Sequence, residues 1–408
     1  MLEVCYAAGF AWFMARKPSR RKCPTCGEVG VKKNGRTSKG AIRYRCTHCG
    51  ASYCANRPDI TRNAQMDRFV QWLTGKHSIS ETTDQSRMSW NRQNYWCWRV
   101  DPVIEPTGQI YDYIQIDGTY LPYGWCLLTA VNNGKVLAWQ WCNQENKTAY
   151  KQLLKRLPEP LMVITDGQAG ALSAIKDQWP NTRIQRCLVH IKRNIRTLTT
   201  TNPKIPPHKA LWGLAKRLVT IENLNQADQW IGLLQAFHDQ WGKWLNHKTY
   251  KNQIPPEQIP FWIRPNQQWW YTHQKARRAY NLLAKQTRKA TLFTFLDPTL
   301  NKQATTAPLP ATTNELEGAI NAAIKSLIYN HRGLSEPHMK KAAQWWCYQH
   351  SEHPLKPHQL IQPHHLKPDP KPAAKQVKPG PKLWDRAIDQ DPKYQDGSLH
   401  IRKGWAGH

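Results

Sequence analysis

The chain has 408 residues, and its 58 Lys and Arg stand against 28 Asp and Glu, a formal net charge of +30 at pH 7. Hydrophobic residues make up 40%, enough for at least one sizeable core, which excludes a wholly disordered chain and a disulfide-stapled mini-protein. Positive charge on this scale opposes compaction unless a polyanion neutralises it, so nucleic acid is the leading partner class and an anionic membrane surface its rival.

Residues 1–22 read as an N-terminal extension. Its apolar stretch, Cys5 to Met14, precedes the basic cluster Arg16, Lys17, Arg20, Arg21 and Lys22, the reverse of a secretory signal. No run of about 18 apolar residues occurs, so no spanning helix and no membrane partner are expected. Eleven cysteines, four of them in metal spacing, fit a reducing compartment, and the expected location is cytoplasmic.

Residues 23–56 carry Cys23, Cys26, Cys46 and Cys49 as C-x2-C-x19-C-x2-C. A two-residue gap lets both thiolates of a knuckle reach one ion, and Gly27 and Gly50 permit the tight turns behind them. The pattern predicts a zinc ribbon holding one structural Zn2+, with His48 a bystander. The stretch between the knuckles is basic and strand-like. Lys32, Lys33, Arg36 and Arg43 either contact DNA or simply solvate a structural staple.

Residues 57–104 read as a helix-turn-helix DNA-binding domain. Met66, Phe69, Val70 and Leu73 recur at helical spacing up to Gly75. A short helix, a break at Met88–Ser89 and a second helix follow. That helix would present Asn91, Arg92, Gln93 and Asn94 to a major groove, where Arg, Asn and Gln can each make two hydrogen bonds to one base edge. The plainer alternative is a three-helix packing unit.

Acidic residues are scarce, so their placement is informative. Tyr113 to Ile116 is a strand-like run ending in Asp117-Gly118, and Leu161 to Thr165 is another ending in Asp166-Gly167. Between them lie strand candidates at Trp125 to Val131 and Lys135 to Trp141, joined by the hairpin signal Asn132-Asn133-Gly134, and a helix from Lys147 to Leu157. A helix (Ala169 to Lys176) and a strand (Arg183 to Cys187) complete the order βββαβαβ. That order is the ribonuclease-H-like arrangement, in which the first and fourth strands are neighbours. Two carboxylates brought together there repel unless cations sit between them, and Mg2+ (or Mn2+) takes oxygen ligands. Asp-Gly as an ordinary turn is the alternative for either aspartate alone.

A third carboxylate is expected on the helix opening at Ala311. Thr312 and Glu315 read as a capping box, which gives Glu315 a structural task. Glu317 flanks the apolar face of Leu316, Ile320, Ala323 and Leu327 and is preferred, with Glu315 in reserve.

Residues 197–307 read as an all-α insertion, with 105–196 and 308–352 forming the α/β core on either side. Trp230, Trp241 and Trp244 at helical spacing are expected in the insertion's core, whereas Trp269 and Trp270, beside a basic helix, are candidates for stacking on nucleobases. Arg186, Lys192, Arg193 and Arg196 surround Cys187 and are expected to hold phosphates, and Arg332 after the last core helix is a further DNA candidate. Residues 353–408 are a basic, Pro-rich C-terminal tail, in which 353–383, rich in Pro, Lys and His, are expected to be an extended, mobile arm.

These motifs together resemble bacterial insertion-sequence transposases of the mutator type. The matching pieces are IQIDGTYL, VITDGQAG, QRCLVHIKRNI and TTNELEGAINAAIK. The resemblance covers most of the chain from Cys23 onward and implies an Asp-Asp-Glu triad of Asp117, Asp166 and Glu317, the glutamate following a Thr-Asn pair. It also implies a supporting role outside the metal shell for the Cys-x2-His pair, Cys187 and His190. The implied activity is metal-dependent cleavage at the terminal inverted repeats and strand transfer into target DNA. Two ions would be involved, Asp117 bridging them and Asp166 and Glu317 each holding one. Pairing two DNA ends implies a homodimer or larger assembly on double-stranded DNA, nucleoid-associated in a bacterium. The alternative is a transposase-derived sequence-specific DNA-binding protein without chemistry.

Overall fold

The computed structural model describes residues 21–23, 26–38, 40–54, 58–84, 86–306 and 308–366, with 58–61 described in backbone alone. The expectations for residues 1–20 and for the tail beyond 366 lie outside the described residues. The chain divides into two units, Met1–Ile361 and Gln362–His408; in the second, the described residues form a 3-10 turn, Pro363–Leu366. No helix among the described residues is long and apolar enough to cross a membrane.

Among the described residues, the first elements form a three-stranded antiparallel sheet, β1 (Val31–Arg36), β2 (Ile42–Cys46) and β3 (Ser52–Cys54). Strand alternation turns Val31, Tyr44 and Cys46 inward with Cys23, while Lys32, Lys33, Arg36 and Arg43 face water. Tyr44 and Tyr53 pair across β2 and β3 with their rings stacked at 6.0 Å. So small a core needs a further tie, and Cys23, Cys26, Cys46 and Cys49 lie close enough together to hold a metal ion.

Three helices follow: α1 (Pro58–Leu73), α2 (Ile79–Thr82) and α3 (Arg87–Asn94). Met66, Phe69, Val70 and Leu73 face inward as their spacing predicts. Ser78 and Glu81 close a capping box on α2, and Ser86 caps α3 by accepting from the Ser89 amide at 3.2 Å. The expected break at Met88–Ser89 is therefore corrected. The helix runs through it, because the Ser86 cap satisfies an amide at its start. A 3-10 turn, Tyr95–Arg99, ends the segment. These helices share one core with the sheet residues Leu127, Val131 and Val136 and with Leu316, Ile320 and Trp345 further on.

The central sheet comprises β4 (Tyr113–Tyr120), β5 (Cys126–Asn132), β6 (Lys135–Cys142), β7 (Met162–Thr165) and β8 (Arg183–Arg186), in the order β6-β5-β4-β7-β8. The first three are antiparallel, and β7 and β8 add in parallel. Helices α4 (Lys147–Leu154) and α5 (Ala169–Gln178) cover one face, packing Tyr150, Leu153 and Ile175 against Ile114, Ile116 and Val163. Helix α6 (Leu188–Thr199) lies on the other face with Tyr113, Met162 and Ile164. The two-residue period puts Gln115 and Asp117 on that second face as well.

The insertion holds α7 (Pro206–Leu218), α8 (Leu224–Leu245), β9 (Lys248–Tyr250), β10 (Trp269–Tyr271), α9 (Gln274–Arg288) and α10 (Pro298–Gln303). The all-α expectation is corrected: β9 and β10 pair antiparallel, Trp270 opposite Thr249. Three-residue strands are too short to show a period, yet aromatic and β-branched side chains pair well across them. Trp230 is buried, and its indole donates to the Leu214 carbonyl at 2.9 Å. Trp241 and Trp244 pack on the same cluster, as expected.

The chain returns to the sheet through a π-helix, Glu315–Asn321, which runs into α11 (Ala322–Asn330); α12 (Glu336–Gln349) follows. The start of the segment expected to be an extended arm is folded. Leu360 and Ile361 join the core beneath α1, and His358 engages the Asp67 carboxylate through its amide (3.1 Å) and Nδ1 (2.8 Å).

Candidate active site

Strand pairing brings the two aspartates together. Ile116 on β4 is registered against Thr165 on β7, so Asp117 and Asp166 occupy the next positions on adjacent parallel strands. Burial and the charge of Asp166 push the Asp117 carboxyl up to about 7, against the opposing pull of His190. Asn321 Nδ2 donates to Asp117 Oδ2 at 2.9 Å. Asp166 Oδ1 accepts from the Gln168 amide at 2.9 Å. Its carbonyl accepts from the Arg186 guanidinium, which lies across Gly167.

Glu317 approaches from the π-helix. Its Oε1 accepts from Thr313 Oγ1 at 3.0 Å and lies 3.2 Å from His190 Nδ1, while Oε2 pairs with Arg193. The His190 contact is close but not aligned as a hydrogen bond. The expected Thr312–Glu315 capping box does not form, because the helix starts at Asn314 without a side-chain cap. Glu315 Oε2 instead accepts from Gln115 Nε2 on β4 at 3.1 Å, which stakes the helix start to the sheet.

Cys187 occupies the N-cap position of α6; its Sγ accepts from the Thr313 amide (3.4 Å) and lies 3.2 Å from the Thr313 hydroxyl, whose single proton it shares with Glu317 Oε1. Burial pushes the thiol up, but His190 and Thr313 more than offset it and leave it below the ordinary thiol range. Cys187 in turn holds the His190 imidazole up, at about 9, against burial and with help from Glu317 and Asp117. Among the described residues, two sets of metal-ligating atoms converge within 4.8 Å. They are Cys23, Cys26, Cys46 and Cys49, and Cys187, His190 and Glu317. Asp117, Asp166 and Glu317 share one electrostatic neighbourhood but do not form a third such set.

Residues 117–194 match the MULE transposase domain. Over 201 residues the chain is 25% identical to the transposase for insertion sequence element IS905 of Lactococcus lactis, covering 45% of this chain and 50% of that protein. Over 129 residues it is 27% identical to the transposase for insertion sequence element IS1201 of Lactobacillus helveticus, covering 30% of this chain and 33% of that one. The chain is a relative of the mutator-type insertion-sequence transposases. It spans about half the length of the first of these proteins and a third of the second. The matched transposase domain contains Asp117, Asp166, Cys187 and His190 and ends before Glu317.

Two residues beside the transposase domain's aspartates escaped the sequence reading. The Glu145 carboxylate lies against Gly118, where a Cβ would come within 2.5 Å of its Cδ, and it accepts from Tyr150 Oη at 2.7 Å. Burial and the charge of Asp166 raise its carboxyl. A lone glutamate after a strand carries no pattern. Asn321 did carry one, standing one helical turn after Glu317.

The four cysteines are suited to zinc, with Cys23 and Cys49 Sγ atoms 3.7 Å apart and Cys26 and Cys46 the same. Of the DNA candidates, Asn91, Arg92 and Gln93 are exposed along α3, and Lys192, Arg193 and Arg196 follow one another on α6. Arg332 is exposed beneath the Tyr329 ring plane at 5.2 Å, and Trp269 is 36% exposed with Lys248 over its ring at 4.0 Å. Three expectations are corrected. Asn94 is 3% exposed and donates to the Trp90 carbonyl, so it faces the core and not a groove. Arg186 is 6% exposed and committed to the Asp166 carbonyl, so it holds backbone in place of phosphate. Trp270 is 7% exposed, because alternation along β10 turns it inward as Trp269 turns out.

Proposed function

We propose that this protein is a DNA transposase that binds the terminal inverted repeats of its own element and catalyses strand cleavage and strand transfer with two divalent cations, Mg2+ or Mn2+. The observation that carries the reading is the pair of aspartates at neighbouring positions of β4 and β7, approached by the helix of Glu317. The strand order and the helices on both faces support a ribonuclease-H-like core over 105–196 and 308–352, interrupted by the insertion 197–307.

The donor set fits hard cations. Asp117 is pressed toward its neutral form by burial beside Asp166, a conflict that a cation between the carboxylates removes. Bound there, the cations would supply activation of the attacking oxygen and neutralisation of the leaving one. Asp117, Asp166 and Glu317 would hold them. Asn321 orients Asp117, and Arg186 fixes the backbone on which Asp166 stands. The first nucleophile is water and the second a freed 3′ hydroxyl, each attacking phosphorus in line. Lys192, Arg196 and the exposed face of Trp269 meet the backbone and bases of the DNA. Asn91, Arg92 and Gln93 read the repeat from a helix-turn-helix over 57–104, next to a zinc ribbon over 23–56. A homodimer or larger assembly pairs the two ends.

The test is cleavage of the element's terminal repeats by the purified protein. Cutting should require Mg2+ or Mn2+, and Asp117→Asn should abolish it while leaving repeat binding intact. Cleavage retained by Asp117→Asn would overturn the assignment. Binding without cleavage by the unaltered protein would favour a transposase-derived DNA-binding protein. A pre-cut end joined to target DNA separates a transposase from a simple nuclease.

A further inference from the structure

We propose that Cys187, His190 and Glu317 form a second zinc site, distinct from the four-cysteine cluster, which when filled holds Glu317 away from the Asp117–Asp166 pair. Only the last clause rests on the function proposed above; the site itself does not.

The geometry suits one ion. The three ligand atoms lie within 4.8 Å of one another, and His190 Nδ1 and Glu317 Oε1 are already 3.2 Å apart. A tetrahedral zinc with its usual bond lengths separates its ligand atoms by about 3.5 Å, so small side-chain rotations close the set. Cys187 at the N-cap of α6 and His190 three residues on put thiol and imidazole on one side of the first turn.

Two further observations point to a ligand there. His190 Nδ1 is buried without an aligned hydrogen-bond partner, although buried polar atoms are nearly always paired. A cation would satisfy it. The Thr313 amide and hydroxyl both point at Cys187 Sγ, the kind of outer contact that steadies a metal-bound thiolate.

The donor chemistry selects the ion. Thiolate and imidazole favour zinc over magnesium, whereas Asp117 and Asp166 offer oxygen alone. Arg193 pairs with Glu317 Oε2, and Oε1, which accepts from the Thr313 hydroxyl, is the oxygen that faces His190. Three protein ligands leave a fourth position for water.

The full-length protein, its four-cysteine cluster loaded with zinc, is titrated with further Zn2+ against a chromophoric chelator, and in parallel with Co2+. One further equivalent per chain is expected, with a thiolate-to-cobalt charge-transfer band. Cys187→Ser should abolish the band and weaken the further equivalent at least about tenfold. His190→Ala and Glu317→Gln should weaken it too, whereas Asp117→Asn should leave it unchanged. No further equivalent in the unaltered protein, or one that survives Cys187→Ser, overturns the proposal. If Cys187→Ser fails to fold by circular dichroism, the count and the band of the unaltered protein decide. This readout uses no DNA, so loss of the cleavage reading leaves the zinc site standing, and loss of the zinc site leaves the cleavage reading standing.

Discussion

Gly167 stands directly after Asp166 at a φ of +81°, and a Cβ there would fall 1.7 Å from the Cζ of Arg186. Left-handed backbone costs an alanine about 1–2 kcal/mol. The second cost is the guanidinium. Arg186 is buried and bonded to the Asp166 carbonyl, so a methyl that displaces it breaks a charged hydrogen bond in a place water cannot reach. That loss is about 1.5–3 kcal/mol, and Gly167→Ala should therefore cost about 2.5–5 kcal/mol in all. Arg186→Ala removes the same bond and opens the space that the methyl needs. In the double variant Gly167→Ala should cost only its backbone share. Urea unfolding of the four proteins, followed by tryptophan fluorescence, should give a coupling of about 1.5–3 kcal/mol between the two positions. Additive losses would refute the packing of Arg186 over Gly167 and, with it, the account of what fixes Asp166.

The raised Asp117 carboxyl sets a pH dependence with a definite sign. In metal-free protein the folded state keeps a proton that the unfolded state releases, so this contribution to stability is full below the ordinary carboxylate range and is lost as pH rises through about 7. Urea midpoints across that range should show it, and Asp117→Asn should flatten it. Mn2+ must displace the same proton, so its affinity should fall about tenfold per pH unit below 7, measured by calorimetry. Trp270→Ala should destabilise by about 3–5 kcal/mol with repeat binding limited only by folding, whereas Trp269→Ala should leave the melting curve in place and weaken DNA binding. Equal losses in both assays for the two variants would contradict the inward and outward assignment along β10. Cys23→Ser, or zinc removal by a strong chelator, should release the amides of β1 to β3 to rapid hydrogen exchange while β4 to β8 stay protected.

Much of the molecule was legible because periodicity and spacing speak for themselves. The five central strands, their order, the two helices between them and the four cysteines follow from runs of apolar residues, Asp-Gly ends and paired knuckles. Three kinds of error have physical causes. Arg186 looked like a phosphate ligand because its charge was visible and its burial was not; its burial comes from the pairing of β8 with β7, which lays it across Gly167. Asn94 and Trp270 each sit one position past exposed neighbours, where a single residue changes the face. The strands β9 and β10 are three residues each, below the length at which alternation can be recognised. Glu145 and Thr313 meet the site only through tertiary contacts, with Gly118 and with Cys187. Local sequence says nothing of either meeting.

The three carboxylates of the proposed site are not held alike. Asp117 stands on β4 and Asp166 directly after the end of β7, strands that pair with each other, so the sheet sets the two side by side. Glu317 arrives after the whole insertion, on a π-helix whose Leu316 and Ile320 pack into the core that also contains Phe69, Leu73 and Trp90 of α1 and α3. Trp72 of α1 also meets His331 at the end of α11, ring centroids 5.3 Å apart. The helix that carries Glu317 therefore shares its core with α1 and with α3, the helix of Asn91, Arg92 and Gln93. A π-turn has one residue more than its neighbours need and shifts register at small cost. On the function proposed above, binding of DNA by α3 is expected to displace Glu317 more than either aspartate, through the core that the two helices share; equal displacement of all three would refute this.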